Sequence, residues 1–212
     1  METGKDAGRE PDREESGAPP RTKAASRTGT AEAELQDSRA RASLALDGQG
    51  RAKVETGSGF LDHMLRALAR TSGLDLELKL SGSPLFLAEA AGQALGAALD
   101  ASLGSRSDIR RYASASVPMD EALGTVALDL SGRPYLVMQG CYAGERIADL
   151  EVRQIRALLE SLADAGRLTL NVKFEGENDH HMAESFFKAL GLALGEAVEG
   201  RAGGILSTKG LI

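Results

Sequence analysis

The feature that most constrains this chain of 212 residues is an internal repeat. Placing Gly96 over Gly191 sets Ala94-Leu95 on Ala189-Leu190, Glu89 on Glu184 and Gly82 on Glu177. Matches among Ala, Leu and Gly are common, so the shared order of elements says more than the identities. "RASLALDGQGRAKVETGSG" alternates apolar and polar residues about Asp47-Gly48-Gln49-Gly50 and reads as a hairpin. "GFLDHMLRALARTSG" has Phe60, Leu61, Met64, Leu65 and Leu68 at helical spacing and closes near Gly73. A strand, Leu74 to Leu80, and an Ala/Leu-rich helix follow. The second half gives strands over Val126–Leu130 and Tyr135–Met138, a helix in "LEVRQIRALLESLADAG", the strand "RLTLNVKF" and the helix "HHMAESFFKALGLALGEAVEG". The expected fold class is α+β, in two duplicated halves, each a small β-sheet with helices packed on one face. The glycines at 92, 96, 191 and 195 should permit close helix approach.

The expected boundaries are a charged tail over 1–34, a first half over 35–106, a second half over 107–202 and a C-terminal loop over 203–212. The first 34 residues hold no Leu, Ile, Val or Phe. Such a segment buries too little apolar surface to offset its ordering entropy, so it is expected to be disordered, with a docking role left open. A net charge of −6 and few aromatics argue against nucleic acid or an anionic membrane as a partner. The single cysteine, Cys141, excludes an internal disulfide framework. No run reaches the roughly 18 apolar residues of a membrane span, and the N-terminus has no apolar core of a secretory signal. The expected location is cytoplasmic.

The chemistry-bearing residues gather in short motifs. In "GENDHHMAES", His180 and Glu184 are an (i, i+4) pair and His181 and Glu184 an (i, i+3) pair, so imidazole and carboxylate share one region of a helix, as a transition-metal site requires. A solvated polar helix start reads equally well there. Asn178 or Asp179 can cap that helix, and its N-terminus should keep both imidazoles neutral. His63, beside Asp62, suits either a ligand or a core-edge histidine bonded to a carboxylate. In "VPMDEAL", Pro118 is expected to break a strand and aim Asp120 and Glu121 off a sheet edge, or to open a solvated acidic turn. Arg133 lies in a Gly/Pro turn. Ser207, Thr208 and Lys209 supply the hydroxyls and cation of a phosphate cradle, or of an ordinary polar loop.

Taken together, "LDGQG", "TGSGFLDHML", "VPMDEAL", "DLSGRP", "GENDHHMAESFFKAL" and "STKG" resemble the imidazoleglycerol-phosphate dehydratase family, from about Leu35 onward. The resemblance implies two homologous halves and a large homo-oligomer with active sites at subunit contacts. It implies manganese as cofactor and a small phosphorylated imidazole as substrate, dehydrated to imidazole-acetol phosphate in histidine biosynthesis. Carried over by position, His63, Glu89, His180, His181 and Glu184 are the metal ligands. Arg111, Arg133, Ser207 and Lys209 hold the substrate phosphate, and Asp37, Glu121 and Glu184 are the catalytic carboxylates. The departures are specific. Leu85 and Phe86 replace the histidine pair of the first HHxxE-like motif, Thr71 and Asn171 replace two further histidines, Asp37 replaces a glutamate and Ala33 an arginine. Leu and Phe cannot ligate manganese, so at most a partial site is implied. The alternative is a catalytically impaired paralogue, binding a phosphate ligand or serving as a regulatory or scaffold subunit mixed with an active homologue.

Overall fold

The structure, a computed structural model, describes residues 26–202 together with Gly204 and Leu206. In the first half, β1 (Thr28–Leu35), β2 (Ser38–Ala45), β3 (Ala52–Glu55), α1 (Gly59–Ser72), β4 (Asp75–Ser81) and α2 (Leu87–Leu103) follow one another. The second half runs β5 (Tyr112–Met119), β6 (Ala122–Asp129), β7 (Tyr135–Gln139), β8 (Arg146–Ile147), β9 (Leu150–Glu151), α3 (Val152–Ala165), β10 (Thr169–Glu175) and α4 (Asp179–Ala197). The two four-stranded sheets have equivalent orders, β1-β2-β4-β3 and β5-β6-β10-β7. In each the first three neighbours pair antiparallel and the last pair is parallel. The duplication inferred from the sequence is therefore a duplication of topology. Its offset is not uniform, because the second half inserts the short β8–β9 hairpin where the first half runs directly from β3 into α1.

Helices α2 and α4 lie on their own sheets, and the halves meet through α1 against α4 and α2 against α3. The result is a layer of helices enclosed by two sheets. Alternation drives the strands inward on one face: Leu76, Leu78 and Leu80 of β4, and Leu170, Val172 and Phe174 of β10, are buried. Helix α1 starts at Ser58, whose side chain accepts from the Leu61 amide, and ends at Gly73, whose left-handed φ of 75° lets its amide bond Ala69 O. The helix crossings depend on missing side chains. A Cβ on Gly96 would stand 2.6 Å from Leu162 O, and one on Gly191 2.5 Å from Leu68 O. Leu68 and Leu162 hold matching places in the buried stripes of α1 and α3, so the two contacts are equivalent across the duplication. No helix among the described residues is long and apolar enough to cross a membrane.

Three expectations need correction. The last part of the segment read as a tail, from Thr28, is strand β1; residues 1–25 lie outside the described residues. Its inward positions are Gly29, Ala31, Ala33 and Leu35, and the first three are small where α2 passes close by: a Cβ on Gly29 would fall 2.1 Å from Ala98 O. The Asp47–Gly50 turn is not a hairpin. β4 lies between β2 and β3, and the loop is folded down by Asp75, whose Oδ1 accepts from the Gln49 and Arg51 amides at 2.8 and 2.9 Å. The hairpin is β1–β2, turning at Gln36-Asp37. Pro118 does not break its strand. It lies inside β5, an edge strand, where the missing amide costs the sheet no interior hydrogen bond.

Candidate metal centre

The α1–α4 crossing brings three donors together. His63 Nε2 lies 3.1 Å from Glu184 Oε2, and His180 Nε2 lies 3.2 Å from the same oxygen. The imidazole centroids are 5.7 Å apart, and Phe60 presents its ring edge-on to His180 at 5.3 Å. His63, His180 and Glu184 each offer an atom within 4.8 Å of the others, and they are the metal-compatible group among the described residues. Two imidazoles and one carboxylate suit a first-row divalent ion. The histidine side chains are 47% and 42% exposed and that of Glu184 9%, so one wall is buried while the other side stays open to a substrate or water.

Each donor has a local cause. Asn178 caps α4, its side-chain oxygen accepting from the His180 and His181 amides at 2.9 and 3.3 Å. Asp179, the other capping candidate, instead accepts from the Ala143 and Gly144 amides of the loop after β7. Asp62 is not the partner of His63; it binds Thr56 and Arg66, which leaves the imidazole free to reach across to α4. On the far side of Glu184, Lys188 Nζ lies 2.8 Å from Oε1. Burial pushes the Glu184 carboxyl up, but Lys188 and His63 outweigh it, and its pKa falls to about 2. Sequence reading missed Lys188, although its (i, i+4) spacing from Glu184 is the standard signal for such a pair.

His181 turns away from this group. Its Nδ1 lies 2.9 Å from Glu121 Oε2, while Glu121 Oε1 accepts from the Asn178 amide at 2.8 Å. Glu121 sits in the two-residue β5–β6 turn and is thus brought to the α4 N-terminus. The His181 imidazole, helped by the backbone amides of Glu121 itself and of Asn178, holds the Glu121 carboxyl down at about 2. At His181 the shift runs opposite to the one expected of a helix start: its hydrogen bond to Glu121 raises its pKa, because a carboxylate in contact outweighs the cost of burial.

Glu89 is not brought to the three donors. It lines a separate cleft between α2 and α3 with Gln93, Ala157, Glu160 and Asp164. That cleft is the first half's counterpart of the metal group. The buried stripes Leu61, Met64, Leu65, Leu68 and Ile155, Leu158, Leu159, Leu162 superpose α1 on α3 and put Ala157 where α1 has His63. Leu85, half exposed, and Phe86, which caps α2 with no side-chain bond, stand where α4 has its histidines. Asp37, in the β1–β2 turn, occupies the place of Glu121 in the β5–β6 turn. Arg111 is buried: its Nε and Nη2 bond Asp129 at 2.7 and 3.2 Å, and Nη1 bonds the carbonyl of Leu206. It thereby ties down the start of the C-terminal segment. Arg133 is exposed in the turn before β7, and Ser207 and Lys209 lie outside the described residues.

The ionisation of Glu184 yields a pH prediction. Its folded pKa of about 2 lies below the usual carboxylate value near 4.5, so its contacts contribute fully to stability above that value. The contribution is lost as pH falls through the window down to about 2. Urea midpoints of metal-free protein should drop between pH 5 and pH 3, and Glu184→Gln should flatten that drop. An equal drop in both proteins would show that Glu184 is not so held.

Fold and site together define a duplicated α+β protein with one half-open histidine–carboxylate centre at a helix crossing between its halves. The family model for imidazoleglycerol-phosphate dehydratase matches residues 56–194. The chain belongs to the imidazoleglycerol-phosphate dehydratase family. The dehydratase of Methanothermobacter thermautotrophicus is 45% identical over 181 residues, covering 84% of this chain and 93% of its own length. That of Rubrobacter xylanophilus is 42% identical over 191 residues, covering 88% and 98%. Among solved structures, the dehydratase of Staphylococcus aureus matches with a TM-score of 0.75 at 29% identity, over 82% of this chain and 99% of that one. The Pyrococcus furiosus enzyme in complex with (S)-C348 matches with a TM-score of 0.75 at 30% identity, over 85% and 99%. The reading of an inactive regulatory or scaffold paralogue gains no support from these relatives.

Proposed function

We propose that this chain dehydrates imidazoleglycerol phosphate to imidazole-acetol phosphate, using one manganese ion held by His63, His180 and Glu184. The observation that carries this reading is the convergence of both imidazole Nε2 atoms on Glu184 Oε2 at the α1–α4 crossing. Bound there, the metal would supply a Lewis acid and a template for the imidazole ring. Lys188 neutralises the second Glu184 oxygen and keeps the carboxylate ionised and facing the histidines. Glu121 fixes the ring of His181 by its Nδ1, leaving Nε2 to face the substrate. Arg133, Ser207 and Lys209 hold the phosphate, and Arg111, buried and bonded to Leu206 O, supports the approach to the last two rather than the phosphate itself.

Glu184 is committed to the metal group and Glu121 to His181, so proton transfer falls to another group. Asp37 takes that role from an adjacent copy, within a large homo-oligomer acting in the cytoplasm. Purified protein should contain one manganese per chain and turn over imidazoleglycerol phosphate, measured by metal analysis and product formation. Protein that takes up no metal and forms no product would overturn the proposal. Two metals per chain would overturn its single-site form, because Leu85, Phe86 and Ala157 offer no donor atoms in the counterpart cleft.

A further inference from the structure

The β8–β9 insertion touches both helices of the metal centre at their N-termini. At one end, the Asp149 carboxylate accepts from Ser58 Oγ at 2.8 Å, the Gly59 amide at 2.6 Å and the Phe60 amide at 3.1 Å, so it grips the first turn of α1. His63 follows one turn later. At the other end, the Ala143 and Gly144 amides each donate to Asp179 at 2.8 Å, and Asp179 immediately precedes His180. The hairpin itself is braced. Arg146 Nη2 donates to Asp149 O at 2.7 Å, and Ile147 pairs with Leu150, both buried. The first half has no such insertion, and its counterpart cleft has no imidazoles.

We propose that Asp149 is a positioning residue for the metal centre: through the β8–β9 insertion it joins the first turn of α1 to that of α4 and so sets the His63–His180 separation. Asp149 touches no metal-ligand side chain and acts only through backbone amides and Ser58. A first turn held by three charge-assisted hydrogen bonds cannot rotate freely, so the imidazole that follows it keeps its aim. The two ends act in series. Cutting either one releases the link, which distinguishes a strap from two separate helix caps. The effect on metal affinity rests on the metal reading above; the mechanical link does not.

The test uses the full-length chain, with Mn²⁺ alone titrated calorimetrically into chelator-treated protein. Asp149→Ala should weaken Mn²⁺ binding by about tenfold or more, as loss of outer support does at metal sites, and Asp149→Asn, which keeps an acceptor oxygen, by less. Asp179→Ala should weaken it too, and the double variant should fall well short of the product of the two effects. Unchanged affinity in Asp149→Ala, or fully multiplicative effects, would overturn the strap. Amide exchange of metal-free protein gives a second readout. Asp149→Ala should speed exchange over His180 to Glu184, on a helix it does not touch, and exchange confined to the α1 first turn would overturn the link. Should the unaltered chain take up no Mn²⁺, the metal reading fails, and the exchange result alone decides the strap.

Discussion

His180→Ala is expected to abolish metal binding and to lower turnover of imidazoleglycerol phosphate by about a thousandfold or more. A Lewis acid contributes several kcal/mol of transition-state stabilisation, and about 1.4 kcal/mol corresponds to a factor of ten in rate. The group has three donors, so removing one leaves His63 and Glu184, too few to retain the ion. The loss is chemical rather than structural. The His180 side chain is 42% exposed and its truncation opens no core cavity, so thermal stability in chelator should stay within about 1 kcal/mol of the parent. His63→Ala should behave alike. Leu85→Ala, at the pseudo-equivalent position, should leave both metal content and rate unchanged. Metal analysis and initial rates on the three proteins decide the matter. A His180→Ala protein that still holds manganese and turns over would place the centre elsewhere.

The second large effect is on the fold. Gly96→Val should destabilise the chain by about 3 kcal/mol or more and is expected to prevent soluble expression at 37 °C. The added Cβ alone would stand 2.6 Å from both Gly166 N and Leu162 O, backbone atoms that cannot swing aside as a side chain can. Helices α2 and α3 would have to separate, and their contact closes the first half's helix layer onto the second half's. The gain in helix propensity over glycine, under about 1 kcal/mol, is too small to offset this. Gly200→Ala is the control: a Cβ there meets nothing within 4 Å, so the change should stay within about 0.5 kcal/mol. Urea unfolding of the two variants reads the difference directly. Equal midpoints would mean that the crossing relaxes and that the close approach is not required.

Much of the architecture is legible in the chain because the period of apolar residues reports which surface is buried. Phe60, Leu61, Met64, Leu65 and Leu68 define the inner stripe of α1 without reference to any partner. The strand at Thr28–Leu35 escapes the same reasoning. Its inward residues are glycine and alanine wherever α2 lies against it, and small residues leave no hydropathy signal. The hairpin at Asp47–Gly50 misleads for a related reason. Alternation marks β2 and β3 as strands, but nothing local announces that β4 will come between them. Periodicity describes one element's faces, whereas pairing is a choice among elements.

The candidate site divides along the same line. His180 and Glu184 are neighbours by helical spacing, and that pair belongs to the sequence itself. So does the loss of the histidine pair from the counterpart, since Leu85 and Phe86 carry no donor atoms in any fold. That His63 completes the group, that His181 is drawn off by Glu121, and that Glu89 belongs to another cleft depend on which helices cross. Those crossings are set where glycines let backbones touch, at Gly96 and Gly191, and such contacts join residues far apart in the chain. The sequence by itself determined the repeat, the strand and helix periods and the donors available. Tertiary structure alone decided which donors meet, because an imidazole's reach is a few ångströms and only packing brings two helices within it.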